Sequence, residues 1–349
     1  MVPDGPYHHA RGCMSISIAY LFTFLIAMTV LLFMITYGDG YSVNQILLVT
    51  VIVVGDAGYF PFSLAETLPE ALIATTITYV TGCFAPMLMF AIVCEIYKVQ
   101  IPGWLLCAMY AVQFGIFCCV MTIGRLDIFY KSAEFHRNGD IVYLTKVYGP
   151  MHTVEIASMY LYFGLLILVS TGLIPHKRRI SATDATAIFF LEFFTISVYI
   201  AQRMVGLQVE MMPFAFDLGL ILLMIPITKL NTYSITGNNE IIRSRLEQKG
   251  YIFFDRKMRF MGCNERAYEF FPELNEWELE KKIPGKGGRF NTYLRQPFTK
   301  YLENEDDELL TGNFLMKNER FFYNIGVIRN KSNRKQGYII ELDNIQGQI

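Results

Sequence analysis

The chain has 349 residues, of which 53% are hydrophobic and 17% charged, with a mean hydropathy of +0.34. Residues 1–236 contain 25 Lys, Arg, Asp and Glu residues, whereas the shorter segment 237–349 contains 36. Because soluble domains carry about a quarter charged residues, a single soluble domain is excluded. The formal net charge of -1 argues against nucleic-acid binding, which needs a basic surface. The composition predicts an apolar membrane region followed by a soluble region.

Seven apolar runs approach or exceed the length of about 20 residues that a helix needs to cross the hydrocarbon core. They predict an all-α membrane bundle of seven transmembrane helices. The first run is followed by Tyr-Gly-Asp-Gly rather than by a small-residue cleavage site, so it is a span and not a signal peptide. The predicted spans are 15–36, 44–64, 71–94, 103–124, 150–174, 185–202 and 207–229.

The long connection between the fourth and fifth spans contains two strand-like segments. Residues 129–135 and 141–149 are rich in aromatic and β-branched side chains, and Asn138-Gly139-Asp140 between them is typical of a turn. The pattern predicts a small β-hairpin.

Lys and Arg in the loops between spans indicate the orientation, because such residues accumulate on the cytoplasmic side. If the soluble region is cytoplasmic, the inner loops hold Lys98, the cluster 177–179 and Lys229, and the short outer loops hold only Arg203. The long outer loop carries four basic residues, which weakens the bias. We expect a multi-pass plasma-membrane protein with its N-terminus outside and its soluble region in the cytoplasm.

The soluble region begins with a polar stretch and a short predicted linker helix within 237–249. Strand patterns at 250–258 and 259–265 are followed by helix patterns at 266–274, 277–283 and 290–304, and then by strand patterns at 312–318, 320–330 and 337–345. Two strands, helices and three more strands predict an α+β domain with a five-stranded antiparallel sheet.

Four acidic residues inside the predicted spans are candidate ligand-binding residues, because each costs about 2.5–3.5 kcal/mol to insert at a helix centre. They are Asp56, Glu155, Glu192 and Asp217. No Lys or Arg lies deep in any span to neutralise them. One interpretation is a cavity that binds a cation, an amine or a proton, joined from the outer side by His152, which lies on the same helical face as Glu155. The other is hydrogen bonding between helices by neutral acids, with help from Thr75, Thr76, Thr78 and Ser197.

The residue inventory predicts no catalytic residue, metal or cofactor in this chain. The histidines are His8, His9, His136, His152 and His176. Since none lies in 237–349, autophosphorylation and a histidine-ligated haem in the soluble region are excluded. The cysteines form no CxxC or Cys/His cluster, which argues against zinc and a disulfide framework. The Gly-Gly-Arg sequence at 287–289 lacks the acidic pair of a diguanylate cyclase, and no nucleotide-binding loop is present.

Two further membrane functions are disfavoured. A retinal protein needs a lysine in the middle of the last span, whereas the only lysine of that span is Lys229 at its end. A transporter is typically built from internal repeats with paired broken helices, and no repeat is evident.

The soluble region resembles a PAS domain. The resemblance rests on Gly250-Tyr-Ile-Phe-Phe-Asp255, Asn264-Glu-Arg-Ala267, Phe270-Phe-Pro272 and the final Gly337-Tyr-Ile-Ile-Glu-Leu-Asp343. It implies a relay module that forms a homodimer together with the linker, and it makes Asp343 the candidate output residue. The usual Asp-x-Thr motif is not kept, because Asn344 and Ile345 follow Asp343.

The apolar region resembles the seven-helix N-terminal region of certain bacterial histidine kinases, which also occurs in front of diguanylate cyclases. The resemblance rests on Pro102-Gly103-Trp104, Tyr148-Gly149-Pro150 and Tyr160-Leu161-Tyr162. It implies an input module that detects an extracellular or membrane-dissolved small ligand and acts on a downstream transmitter domain or response partner.

Together these features predict three parts: a transmembrane sensor domain at 1–236, a linker helix at 237–249 and a PAS domain at 250–349. The predicted function is that of a membrane receptor module without its own transmitter. The alternatives are the front part of a diguanylate cyclase or sensor histidine kinase, and a small-solute transporter with a regulatory domain.

Overall fold

The computed structural model describes residues 10–37, 41–97, 99–139, 141–171, 182–232, 249–285, 287–303, 309–329 and 334–344. The predictions that concern His8, His9, Lys98, the basic cluster 176–179, the side chain of Lys229 and the linker helix within 237–248 lie outside the described residues. Contacts along the chain divide the described residues into a membrane unit, up to Pro226, and a C-terminal unit from Ile227 onwards.

Seven helices make up most of the membrane unit. They are α1 (Ala10–Tyr37), α2 (Val43–Leu64), α3 (Leu68–Tyr97), α4 (Gly103–Val120), α5 (Pro150–Ser170), α6 (Ala182–Val205) and α7 (Met212–Thr232). Within the described ranges, α1 to α6 are long and apolar enough to cross a membrane, while the apolar part of α7, Met212–Thr228, is shorter. The predicted all-α membrane bundle is confirmed.

The fourth and seventh helices are shorter than predicted. α4 ends at Val120, and the turns that follow include Gly124 with a φ of 77°. α6 ends before Gly206, which has a φ of 66°, and α7 begins only at Met212. A residue in the left-handed region terminates a helix, which explains why α6 ends at Val205. Glu210 therefore lies before α7 and not inside it.

The predicted hairpin is confirmed as β1 (Tyr130–Asn138) and β2 (Ile141–Tyr148), which pair antiparallel. Its Phe135, Val142 and Leu144 pack on apolar residues of α2, α3 and the turn between them. At the base of the hairpin, the Gly149 N–H donates to the Phe129 carbonyl at 2.8 Å. A Cβ at Gly149 would lie 2.3 Å from the Ile128 carbonyl oxygen, so this close return of the chain requires glycine.

α2 and α3 are in close contact because two glycines of α2 face the threonine-bearing side of α3. A Cβ at Gly55 would lie 1.8 Å from Thr81 Oγ1, and one at Gly58 would lie 2.9 Å from the Ala74 carbonyl oxygen. The Thr81 hydroxyl in turn donates to the Val51 carbonyl at 2.8 Å. Small residues that let two backbones approach are a common means of helix association in membranes. This contact fixes the face of α2 that carries Asp56.

The C-terminal unit has the predicted order of two strands, helices and three strands. Its strands are β3 (Gly250–Asp255), β4 (Phe260–Cys263), β5 (Leu310–Met316), β6 (Glu319–Arg329) and β7 (Lys335–Asn344). Its helices are α8 (Glu265–Phe270), a 3₁₀ helix (Pro272–Glu276), α9 (Gly288–Tyr293) and α10 (Arg295–Glu303). The strands form one sheet of order β4-β3-β7-β6-β5 in which all neighbours are antiparallel, which confirms the α+β class.

Aromatic rings fill the core of the C-terminal unit. Phe254 of β3, the strand between β4 and β7, is fully buried, and its ring centroid lies 4.8 Å from that of Phe298 and 5.9 Å from that of Phe290. Trp277 packs edge-on against Phe260 at 5.3 Å and Phe290 at 5.0 Å. Edge-to-face pairs at these distances stabilise a core beyond the apolar area that they bury.

The helix predicted at 277–283 is absent from the structure, where these residues are all described. The segment lies beside β4 instead: the Glu280 N–H donates to the Phe260 carbonyl at 2.7 Å, and the Phe260 N–H donates to the Lys281 carbonyl at 2.9 Å. Backbone groups that serve β4 cannot also form a helix, so tertiary pairing overrides the helical pattern.

The helix predicted at 290–304 is divided into α9 and α10 at Leu294. Pro297 has no N–H to donate to the Tyr293 carbonyl, and its ring would clash with that carbonyl in a continuous helix.

Candidate functional site

Two of the predicted acidic residues, Asp56 and Asp217, come together in the middle of the membrane unit. Asp56 of α2 is 0% exposed and Asp217 of α7 is 4% exposed. Their carboxyl groups are close enough to interact directly. All four carboxyl oxygens are buried, and none has a hydrogen-bond partner of normal geometry among the described residues.

This arrangement has a definite chemical consequence. Two carboxylates side by side in a low-dielectric region repel each other strongly, and each also loses its hydration. The pair must therefore share at least one proton or hold a cation between its oxygens. Proton or cation occupancy thus determines how closely α2 and α7 can approach at this point.

A second polar contact lies between Tyr20 of α1 and Glu210, just before α7. The Tyr20 hydroxyl of α1 donates to the Glu210 carbonyl and accepts from the Glu210 N–H, each at 3.1 Å. The Tyr20 ring packs on Tyr59 of α2 at 5.7 Å. The carboxylate of Glu210 accepts a hydrogen bond from the Gln202 side chain of α6. Helices α1, α2, α6 and the start of α7 are therefore connected through side chains near Asp56.

His152 and Glu155 are both buried on α5, at 6% and 5% exposure, but they face different neighbours. The His152 ring stacks on Tyr148 at 3.7 Å, and its Nε2 is buried with no hydrogen-bond partner in the described parts of the chain. Glu155 points to α3, since a Cβ at Gly82 would lie 3.5 Å from its Oε1. Their helical spacing predicted one shared site, whereas the structure turns Glu155 towards α3.

Arg203, in the last turn of α6, lies beside His152 and forms cation–π contacts with two tyrosines. Its guanidinium carbon lies 5.0 Å from the ring centroid of Tyr148 and 5.3 Å from that of Tyr199. A cavity of about 390 Å³ opens between α5 and α6 at this point, with His152, Ile156, Tyr199, Ile200, Arg203 and Met204 among its lining residues.

The base of the hairpin adds further charged and phenolic groups to this end of the bundle. Burial lowers the pKa of the Lys146 ammonium, which lies 5.7 Å from the ring centroid of Tyr130. Burial raises the pKa of Tyr148, an effect that the positive charge of Arg203 partly opposes. The Tyr130 hydroxyl donates to the Tyr79 hydroxyl of α3 at 2.7 Å, which attaches the hairpin to the bundle.

The threonines and the serine proposed as partners of the acids do not reach them where their bonds are described. Thr76, Thr78 and Ser197 each donate to a carbonyl one turn earlier in their own helix, at 2.7–2.9 Å. Hydrogen bonds between helices occur elsewhere, for example from Gln113 Nε2 of α4 to Ser158 Oγ of α5 at 2.6 Å. Hydrogen bonding by these residues therefore does not account for the buried acids.

Two predicted residues, Glu192 and Asp343, belong to other elements than the acid pair. Glu192 belongs to α6, and its side chain is outside the described residues. Asp343 of β7 lies in the C-terminal unit, with its Oδ2 3.8 Å from Lys249 Nζ. Lys249 also forms an ion pair with Glu341 of the same strand. Asp343, near the end of β7, is therefore in contact with Lys249, the residue before β3.

Several site residues were not anticipated from the sequence: Tyr20, Tyr59, Tyr148 and Arg203. Tyrosines are frequent near membrane interfaces, so their presence in an apolar run carries little signal. Arg203 did carry a signal, because it is the only basic residue of the short outer loops. No group of three or more His, Cys, Asp or Glu side chains among the described residues could hold a metal ion.

Comparison with known families decides the class of the membrane unit. A family model described as the N-terminal 7TM region of histidine kinase matches residues 15–236, more than half of the chain. The chain belongs to this family. The membrane unit is thus the sensor region of the histidine kinase 7TM family, and the predicted resemblance of the apolar region is confirmed.

The family match covers the acid pair, the hairpin and the cavity, and it ends before β3, the first strand of the C-terminal unit. The PAS resemblance therefore stays a prediction. The comparison with curated proteins found no match. A 7TM sensor region is not itself catalytic, and the polar groups of the membrane unit are thus to be interpreted as sensory rather than enzymatic.

Proposed function

We propose that the chain is a membrane receptor module in which occupancy of the Asp56–Asp217 pair sets the state of the bundle. The observation that carries the proposal is the burial of four unpartnered carboxyl oxygens between the second and seventh helices. A proton or small cation that binds one arrangement of α2 and α7 more tightly shifts the bundle towards it, by at most its difference in affinity for the two states.

The C-terminal unit is proposed to be a PAS domain that relays this change. Its two strands, helices and three strands in one antiparallel sheet support the assignment. The ion pairs of Lys249 with Glu341 and Asp343 support a relay at the point where the first and last strands of the unit lie side by side. Lys249 is the last residue of the predicted linker, so a movement of the linker would act on the end of β7.

The topology and the partners belong to the same proposal. The hairpin end of the bundle faces outwards, and the C-terminal unit faces the cytoplasm, where it forms a homodimer. The chain performs no catalysis itself and acts on a histidine kinase or cyclase transmitter, whether that transmitter is a partner protein or a further part of the same protein. The family to which the membrane unit belongs supports the kinase as the first candidate.

Hydrogen–deuterium exchange of the chain in nanodiscs tests the role of the acid pair. In the parent, exchange in α2 and α7 should change when the proton or sodium concentration is varied. Asp56→Asn and Asp217→Asn should each remove that dependence while leaving the yield of folded protein unchanged. Glu66→Gln provides the matched control, because Glu66 is exposed in the turn between α2 and α3. If both aspartate variants respond as the parent does, the acid pair is not the switch.

A further inference from the structure

The cavity between α5 and α6 has a positive, hydrogen-bonding end and an apolar wall. Arg203 and His152 lie at the polar end, and Ile156, Ile200 and Met204 contribute the apolar wall. Its volume of about 390 Å³ is within the range of small-molecule sites, which is about 300–1,000 Å³. A charged group beside an apolar wall matches an amphipathic ligand better than a fully polar one.

The charge that the cavity offers is positive. The faces of Tyr148 and Tyr199, which could otherwise receive a cationic ligand, are already in contact with the Arg203 guanidinium. Lys146 adds a second positive charge that acts on His152. A cation or an amine is therefore disfavoured at this position.

Two nearby acids, Glu155 and Glu210, act on Arg203 through their charge, but neither lines the cavity. Glu155 is turned towards Gly82 of α3, and it is not among the residues that line the cavity. The carboxylate of Glu210 accepts from Gln202. Arg203 is thus left to offer its guanidinium N–H groups to the cavity, and a guanidinium matches the two oxygens of a carboxylate.

His152 supplies an independent sign that a ligand belongs here. Its side chain is more than nine-tenths buried, it lines the cavity, and its Nε2 has no hydrogen-bond partner among the described residues. A buried polar atom without a partner is costly unless something bonds to it. An oxygen of an acidic ligand would satisfy Nε2 as an acceptor at the same end of the cavity as Arg203.

We propose that the α5–α6 cavity binds a single-chain carboxylate amphiphile, with its carboxylate on Arg203 and His152 and its apolar chain along Ile156, Ile200 and Met204. This identifies the chemical class of a ligand for the sensor and rests on the proposed receptor function. The site is distinct from the Asp56–Asp217 pair, which consists of two carboxyl groups on α2 and α7.

A decanoate probe that carries a diazirine at the end of its chain tests the proposal. With the chain in phosphatidylcholine nanodiscs, cross-links should map to α5 and α6 and should be displaced by unlabelled decanoate but not by decylamine. Arg203→Gln should weaken binding about tenfold or more, since hydrogen bonds to a charged group contribute that much. Arg203→Lys should keep part of the affinity, and Ile200→Trp should block the apolar wall.

Arg125→Gln is the matched control, because Arg125 is an exposed arginine in the turns after α4 and does not line the cavity. Cross-links elsewhere, equal competition by decylamine, or unchanged affinity in Arg203→Gln would overturn the proposal. Displacement of the probe by phosphatidylglycerol in the nanodisc would also overturn it, in favour of a resident anionic lipid. Because binding is measured directly, failure here is distinguishable from failure of the exchange experiment on the acid pair.

Discussion

The stability of the C-terminal unit should fall at alkaline pH because of Tyr251. This residue opens β3 opposite Glu341 of β7 and is 6% exposed. Burial, followed by the negative charges of Glu341 and Asp343, raises the pKa of Tyr251 from 10.0 to about 12. Above pH 10 the unfolded chain therefore loses the phenolic proton while the folded chain keeps it. The contribution of the neutral phenol to stability is complete below pH 10 and is lost as the pH rises towards 12.

The size of this effect follows from the shift in pKa. Each pKa unit corresponds to about 1.4 kcal/mol, so a tyrosine displaced by two units loses about 1.4 kcal/mol of stability by roughly pH 11. The side chains of Glu341 and Asp343 are 25% and 40% exposed, and water screens part of their repulsion. We therefore expect a loss of about 1 kcal/mol between roughly pH 9 and pH 11 that depends on Tyr251 alone.

Trp277 offers a local reporter for this measurement. The chain has two tryptophans, Trp104 and Trp277, so Trp104→Phe leaves one that packs within the C-terminal core. Urea unfolding of this variant in nanodiscs, followed by Trp277 fluorescence, gives the free energy of unfolding at each pH. Adding Tyr251→Phe should reduce the alkaline loss by about 1 kcal/mol. Equal alkaline losses with and without Tyr251 would refute the reasoning.

Two further substitutions test the packing of each unit. Gly55→Ala places a methyl group against Thr81 and should destabilise the bundle by about 1–3 kcal/mol. The control Gly115→Ala, whose methyl group would meet no atom within 4 Å, should be neutral. Thermal unfolding in nanodiscs compares the two variants, and equal melting temperatures would contradict the α2–α3 contact. Phe254→Ala removes a fully buried ring and should lower the free energy of unfolding by about 3–5 kcal/mol, measured by Trp277 fluorescence. Phe322 is 37% exposed, so Phe322→Ala should lower it much less. Similar losses in the two variants would show that Phe254 is not a core residue.

The sequence predicts the architecture well where hydropathy and turn chemistry act locally. The apolar runs, the Asn-Gly-Asp turn of the hairpin and the order of strands and helices after residue 249 all correspond to elements of the structure. The predicted helix boundaries are wrong where the backbone conformation of a single residue ends a helix. Gly206, with its positive φ, ends α6. The partly apolar residues 207–211 belong to the connection before α7, so hydropathy alone places the start of α7 too early.

The false helix at 277–283 has a different cause. Its composition favours a helix, but Trp277 packs on Phe260 and the Glu280 N–H donates to the Phe260 carbonyl. Both contacts are made with β4, which lies earlier in the chain. The helix propensity of each residue contributes less free energy than these tertiary contacts, so the segment does not form a helix.

For the candidate site, too, the sequence shows which residues are costly to bury but not which of them meet in space. Each acid in a span can be identified from the sequence because its insertion cost is a property of that position alone. That Asp56 meets Asp217 while Glu155 turns to α3 depends on how each helix is rotated about its axis. On α2 that rotation is set by Gly55 and Gly58, whose role becomes clear only once their neighbours on α3 are known.

The separation of charge within the bundle has a functional implication. The acid pair consists of two buried carboxyl groups, whereas the α5–α6 cavity is lined by the positively charged Arg203. Tyr20, Tyr59 and Glu210 lie between them and connect α1, α2, α6 and the start of α7. A ligand that draws Arg203 towards its carboxylate changes the charge acting on Glu210. Glu210 is bonded to Tyr20 of α1 and Gln202 of α6 and lies two residues before α7, the helix that carries Asp217. Ligand binding at α5–α6 and proton or cation occupancy at Asp56–Asp217 should therefore be coupled, and by reciprocity each should change the affinity of the other by the same factor.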